Sequence, residues 1–91
     1  MKIQWTEKAL SDLVRLHDFL APSNPAAAAH AVLALTDAPR RISVYPRLGE
    51  KLEQFEPREV RRLLVGSYEM RYEIREDMVR IVRLWHTRER R

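Results

Sequence analysis

Cysteine is absent from the chain. That excludes a disulfide framework, a thiolate zinc site and a cysteine nucleophile, and it fits a reducing cytosol. Glycine occurs only at Gly49 and Gly66. Neither a GxGxxG fingerprint nor a phosphate-cradling Walker loop can be built from two isolated glycines. No apolar run approaches the roughly 20 residues that span a bilayer. Met1 to Trp5 carries no hydrophobic signal-like run, so export is not expected and a cytoplasmic location is. Lysine is scarce: 14 of the 17 basic residues are arginine. Arginine suits forked contacts with carboxylates, phosphates and base edges.

Ninety-one residues suffice for one core and are too few for two, so a single domain over 1–91 is expected. A chain of that size buries only roughly 60–65% of its unfolded surface, and a partner would add to it. The net charge of +4 comes from one half. Residues 1–57 balance seven basic against seven acidic side chains, whereas residues 58–91 hold ten arginines against six acids. A basic C-terminal half points to an acidic partner, nucleic acid or protein. The plainer reading is a solvated face with interleaved acids.

Lys2 to Trp5 alternates and reads as a short strand. Thr6 is a candidate N-cap for a helix over about 7–21, with Ala9, Leu13, Leu16 and Leu20 as its apolar stripe. Asn24 and Pro25 open a second helix with Ala28, Val32, Leu35 and Ile42 on one face. Pro39 predicts a kink or restart there. Tyr45 to Gly49 is a turn, and Leu52 and Phe55 are candidate anchors in a polar stretch. Val60–Val65, Tyr68–Arg75 and Met78–Trp85 read as three strands. In the second of these, Tyr68, Met70, Tyr72 and Ile74 alternate with Glu69, Arg71, Glu73 and Arg75, which predicts one buried and one exposed charged face. The third is apolar on both faces in places. The order β-α-α-β-β-β implies an α+β fold with an antiparallel helix hairpin on one face of a small, mainly antiparallel sheet.

His17 and His30 have no second ligand at helical spacing, so no metal is expected. His86 follows Trp85 at a strand end between Arg83 and Arg88. An imidazole beside guanidiniums is a candidate acid or base for RNA cleavage, with cations for the phosphate. On the residues alone, the plainer reading is preferred: a strand-end histidine that hydrogen-bonds the chain. Pairing with Glu69 and Glu73 is the expected fate of Arg71 and Arg61. The tail Arg88, Arg90 and Arg91, with only Glu89 beside it, is the better candidate for a partner. Tyr68 and Tyr72 are expected in the core rather than stacked on bases.

Taken in order, several short motifs resemble the RelE/ParE-type toxins. They are Trp5-Thr6, Ala9 with Asp12 and Leu13, Asn24-Pro25-Ala26-Ala27, Pro46-x-x-Gly49 and Arg58-Glu59-Val60-Arg61-Arg62. Val65 to Ile74 and Val79 to Arg88 complete the series. The resemblance covers nearly the whole length and implies the same β-α-α-β-β-β fold. It implies the toxin of a type II toxin–antitoxin pair, bound in a hetero-oligomer by a small ParD- or RelB-like antitoxin with an acidic toxin-binding segment. The antitoxin would wrap over the helices and the open sheet, meeting Glu69, Arg71, Glu73 and Arg83. No cofactor and no membrane are implied, and DNA binding would belong to the antitoxin.

RelE-like members cut mRNA in the ribosome, whereas ParE-like members poison DNA gyrase. Arg88 matches one functional arginine of the cutters. Glu69 stands where they carry another, the central strands hold no lysine, and no tail tyrosine follows before Arg91. The resemblance therefore implies a ParE-like gyrase inhibitor with no catalytic residues, contacting its target through Arg88, Arg90 and Arg91. Glu69→Arg and His86→Ala would leave its toxicity largely intact. The alternative is a ribosome-dependent endonuclease with His86 as acid/base and Arg61, Arg62 and Arg88 as phosphate clamps. Thr87, where some such relatives carry an aromatic, counts against it. A third reading is a non-toxic module that only holds the antitoxin.

Overall fold

The computed structural model describes residues 1–89; Arg90 and Arg91 of the expected target-binding tail lie outside them. The chain runs β1 (Lys2–Trp5), α1 (Glu7–Leu20), α2 (Pro25–Val44), β2 (Glu50–Lys51), a 3-10 turn (Glu53–Phe55), β3 (Glu59–Val65), β4 (Tyr68–Arg75) and β5 (Met78–His86). The five strands form one sheet in the order β1-β5-β4-β3-β2. β1 is parallel to β5 and every other pairing is antiparallel. The α+β arrangement is the expected one, with the two-residue β2 as an addition.

Local chemistry sets the helix starts. The Thr6 hydroxyl accepts from the Ala9 N–H at 3.1 Å, and Asn24 Oδ1 accepts from the Ala27 N–H at 3.0 Å. The helix does not restart at Pro39: α2 continues to Val44 as one helix, with Pro39 buried. Proline removes one backbone bond, but Leu35, Ala38 and Ile42 bury completely or nearly so around it and hold the register. Both helices cover one sheet face. The core joins Ala9, Leu16, Leu35 and Ile42 to Met70, Tyr72, Val79, Ile81 and Leu84.

Tyr72 ties the α2–β2 turn to this core. Its hydroxyl donates to the Pro46 carbonyl at 2.7 Å and accepts from the Gly49 N–H at 2.9 Å. A Cβ on Gly49 would lie 2.6 Å from the Arg62 carbonyl and 2.8 Å from that hydroxyl. The spacing Pro46-x-x-Gly49 thus reflects a backbone pressed against a phenol.

A bulge interrupts β5. Arg71 pairs with Arg83 but Tyr72 pairs with Ile81, which leaves Val82 as the extra residue. The side-chain alternation therefore changes phase there, so β5 is apolar on both faces. β1 ends at Trp5 opposite Ile81, so no strand flanks Val82–His86 on that side. Polar groups from α1 and the tail complete the edge instead. Thr6 donates its hydroxyl to the Val82 carbonyl at 3.1 Å. Asp12 Oδ2 accepts the Leu84 N–H at 2.9 Å, and Arg15 Nη2 donates to the Leu84 carbonyl at 3.1 Å. Glu89 Oε1 accepts the His86 N–H at 2.8 Å.

Asp12 is only 5% exposed, yet every oxygen is engaged. Arg83 donates Nε to Oδ2 at 2.8 Å and Nη2 to Oδ1 at 3.2 Å, and Arg15 Nη2 donates to Oδ1 at 3.2 Å. Burial pulls its carboxyl up, but the donors Arg83, Leu84 N–H and Arg15 together hold it below the ordinary 3.8. A carboxylate with a lowered folded pKa stabilises the fold above its unfolded value and loses that contribution as pH falls through the folded value.

Two predictions follow from these contacts. Asp12→Ala should cost about 2–4 kcal/mol in urea unfolding at neutral pH, because the Leu84 N–H and two guanidiniums lose their acceptor. Asp12→Asn should flatten the acid limb of stability below about pH 4, so an unchanged acid limb would show that Asp12 does not carry it. Separately, Gly49→Ala should cost about 1–3 kcal/mol through overpacking against Tyr72, read as a lowered Tm.

Candidate functional site

The sheet face away from the helices carries Arg62 and Leu64 of β3, Glu69, Arg71 and Glu73 of β4, and Arg80 and Trp85 of β5, all in cross-strand register. The expectation of an exposed charged face is corrected here: Glu69 is 1% exposed and Glu73 is 3%. β4 is the central strand, so long side chains from both neighbours lie over it.

Glu73 accepts Arg58 Nε at 2.9 Å and Nη2 at 3.2 Å, with Arg80 Nη1 at 3.4 Å. The Arg58 bonds outweigh burial and hold this carboxyl below the ordinary range. Glu69 lies 3.4 Å from Arg71 Nη2 and 3.7 Å from Arg62 Nη1. The Arg71 guanidinium sits 4.6 Å from the Trp85 ring centre and 5.3 Å from that of Phe55, and Arg83 covers Trp85 at 4.8 Å. Phe55, Arg71, Trp85 and Arg83 thus form a continuous stack that ends on Asp12 of α1. Glu69 and Glu73 meet arginines of this chain. Arg71 and Arg83 keep part of their surface at this face.

The four groups of the alternative nuclease set do not assemble. Arg61 lies on the helix-covered side, donating to Glu59 at 2.9 Å and to the Gly49 carbonyl at 2.7 Å, rather than pairing with Glu73 as expected. Arg62 lies on the opposite face, bound to Glu50 at 2.6 Å. Arg61 is level with Tyr72, while His86 is level with Tyr68, four residues or roughly 13 Å along the sheet. Only Arg88 stands with His86.

At that end of the sheet, His86 packs edge-on against Tyr68, with ring centres 5.3 Å apart and planes at 90°. Beside them lies an apolar groove of about 610 Å³ walled by Leu16, Phe19, Leu20 and Tyr68, with Arg88 and Glu89 also lining it. Phe19 is 79% exposed in it. The tail turns sharply here. Thr87 N–H donates to the Ser67 carbonyl at 2.9 Å and Glu89 N–H to the His86 carbonyl at 3.0 Å. Arg88 N–H donates to His86 Nδ1 at 3.1 Å. The Glu89 carboxylate takes the His86 N–H and also Arg15 Nη1. The Glu89 side chain thus caps the His86 N–H, while the His86 ring caps the Arg88 N–H, a variant of the capping box. The Arg88 guanidinium is exposed and meets no carboxylate among the described residues. Phe19, Arg15 and Glu89 were not singled out from the sequence. The spacing His86-x-x-Glu89 was the available signal for the last of them.

Comparison with known proteins decides the family. Residues 3–91 match the family described as "ParE toxin of type II toxin-antitoxin system, parDE". The chain belongs to the RelE/ParE family of type II toxins. A curated relative named "Toxin RelE2", from Caulobacter vibrioides (strain ATCC 19089 / CIP 103742 / CB 15), is 33% identical over 85 residues, covering 93% of each chain. A solved structure titled "Chromosomal ParDE TA system from P. aeruginosa" superposes with a TM-score of 0.77 at 21% identity, over 94% of this chain and 95% of the other. That likeness establishes the RelE/ParE-like fold. Membership of a type II system implies a cognate antitoxin. Among the described residues, no helix of this toxin is long and apolar enough to cross a membrane, and no three His, Cys, Asp or Glu side chains group to hold a metal ion.

The burial of Glu69 generates one prediction. Glu69→Arg replaces its carboxylate with a third guanidinium beside Arg62 and Arg71. It should cost about 3 kcal/mol or more and lower the Tm markedly. A wild-type melting curve would show that Glu69 is not needed there.

Proposed function

We propose that the chain is a ParE-like toxin that binds DNA gyrase and blocks replication, with no catalytic residue of its own. One observation carries this reading: the sheet arginines that would clamp a scissile phosphate are matched to Glu50, Glu59, Glu69, Glu73 and Asp12, while Arg88 stands unpaired beside an apolar groove. An exposed guanidinium next to Phe19 suits a protein surface with an acidic and an apolar element. Arg88 is the target contact, continued by Arg90 and Arg91. The cognate antitoxin, ParD-like, covers the exposed Leu10, Val14 and Leu33 of the helix hairpin. It meets the outer sheet face through Arg71 and Arg83, with Glu69 and Glu73 acting only as the anions that hold those guanidiniums.

The second reading, a RelE-like ribosome-dependent endonuclease, draws on the name of the Caulobacter relative and on His86 lying beside Arg88. It lacks the strand arginines at that end of the sheet.

Supercoiling of relaxed plasmid by gyrase, titrated with antitoxin-free toxin, tests the proposal. Inhibition with accumulated double-strand breaks, reversed by the antitoxin, is the expected result. Arg88→Glu should raise the inhibitory concentration about tenfold or more, the scale of one lost charged contact. Full supercoiling in the presence of a protein that still arrests growth would contradict gyrase as the target.

A further inference from the structure

We propose that His86 is a positioning residue that acts through Arg88, by accepting the Arg88 backbone N–H on its ring. This inference rests on the reading of Arg88 as the target contact.

The direction of one hydrogen bond carries the argument. The Arg88 N–H points at His86 Nδ1, so Nδ1 is an acceptor and the ring proton of the neutral form sits on Nε2. An imidazolium has N–H groups at both positions and cannot accept.

The charged and titratable groups facing His86 are Arg15 from α1, Tyr68 from β4, and Arg88 and Glu89 from the tail. Arg15 lies on Glu89, and the Glu89 carboxylate already takes the His86 backbone N–H. The ring is kept edge-on to Tyr68, which fixes where Nδ1 points. The result is a turn whose two ends are fastened, with Thr87 on Ser67 and Glu89 on Arg15, and whose middle residue, Arg88, hangs on Nδ1. His86 thus sets where the Arg88 guanidinium meets the groove without needing to touch the target.

Asparagine separates this role from proton transfer. Its Oδ1 reaches the same N–H, accepts from it, and cannot act as an acid or base. The test compares the toxin with His86→Asn, His86→Ala and Arg88→Ala by gyrase inhibition against toxin-free controls. Hydrogen exchange of the Arg88 amide is followed by NMR in the wild type and in both His86 variants.

His86→Asn should stay within about twofold of wild type, because its Oδ1 replaces Nδ1 as acceptor. His86→Ala should be about fivefold weaker, the scale of one hydrogen bond, a loss that the sequence-based expectation of largely intact toxicity did not include. A folded His86→Asn as weak as His86→Ala, or a folded His86→Ala at full potency, would overturn the proposal. Full potency of Arg88→Ala would instead remove Arg88 as the target contact. In that event an Arg88 amide that exchanges as slowly in His86→Ala as in the wild type overturns the positioning role by itself, and one that exchanges faster there, but not in His86→Asn, upholds the hold on the backbone.

Discussion

Asp12 is the constraint on which the rest of the molecule depends. β5 is bulged at Val82, and beyond Ile81 it has no strand on its outer side. An open, twisted edge of that kind exposes backbone groups that must be satisfied. One carboxylate on α1 meets the Leu84 N–H and, on the same two oxygens, the guanidiniums of Arg83 and Arg15. Helix, strand edge and outer-face arginine stack are therefore joined at a single side chain. Removing it would take the acceptor away from the buried Leu84 N–H and from the guanidiniums of Arg83 and Arg15 at once, on both α1 and β5.

The same junction decides where charge is available. Arg83 is drawn to Asp12 and from there covers Trp85, which in turn carries Arg71 above Glu69. Glu73 gathers Arg58 and Arg80 in the same way. A sheet rich in arginine thus becomes electrostatically matched, with its carboxylates buried beneath the guanidiniums. At the end of β5, Arg15 and Glu89 fasten the tail, and Arg88 projects beside Phe19 with no carboxylate partner among the described residues.

Much of this was legible in the residues. The caps at Thr6 and Asn24, the turn at Gly49 and the inward alternation of Met70, Tyr72 and Ile74 follow from local chemistry alone. The outward alternation of Glu69, Arg71 and Glu73 misled, because a period of two separates faces without telling whether a charged face is covered. That depends on β4 lying at the centre of the sheet with arginines on both flanks, a property of strand order. The apolar residues on both faces of β5 signalled a phase change, but only the pairing with β4 locates it at Val82. Pro39 did not restart the helix, because its neighbours pack into the core. Arg61 and Arg62, adjacent in sequence, necessarily face opposite sides of a strand, and that alone separates them as phosphate clamps. Asp12 showed only as part of a family motif, since its partners lie some seventy residues away.

The most direct measurement is primer extension on mRNA bound to programmed ribosomes, after incubation with antitoxin-free protein shown to be folded. With the strand arginines matched and remote from His86, no toxin-dependent cleavage should appear at any codon. Site-specific cleavage that is lost in Arg61→Ala or Arg62→Ala, with the fold retained, would contradict the matched sheet and make the chain a nuclease.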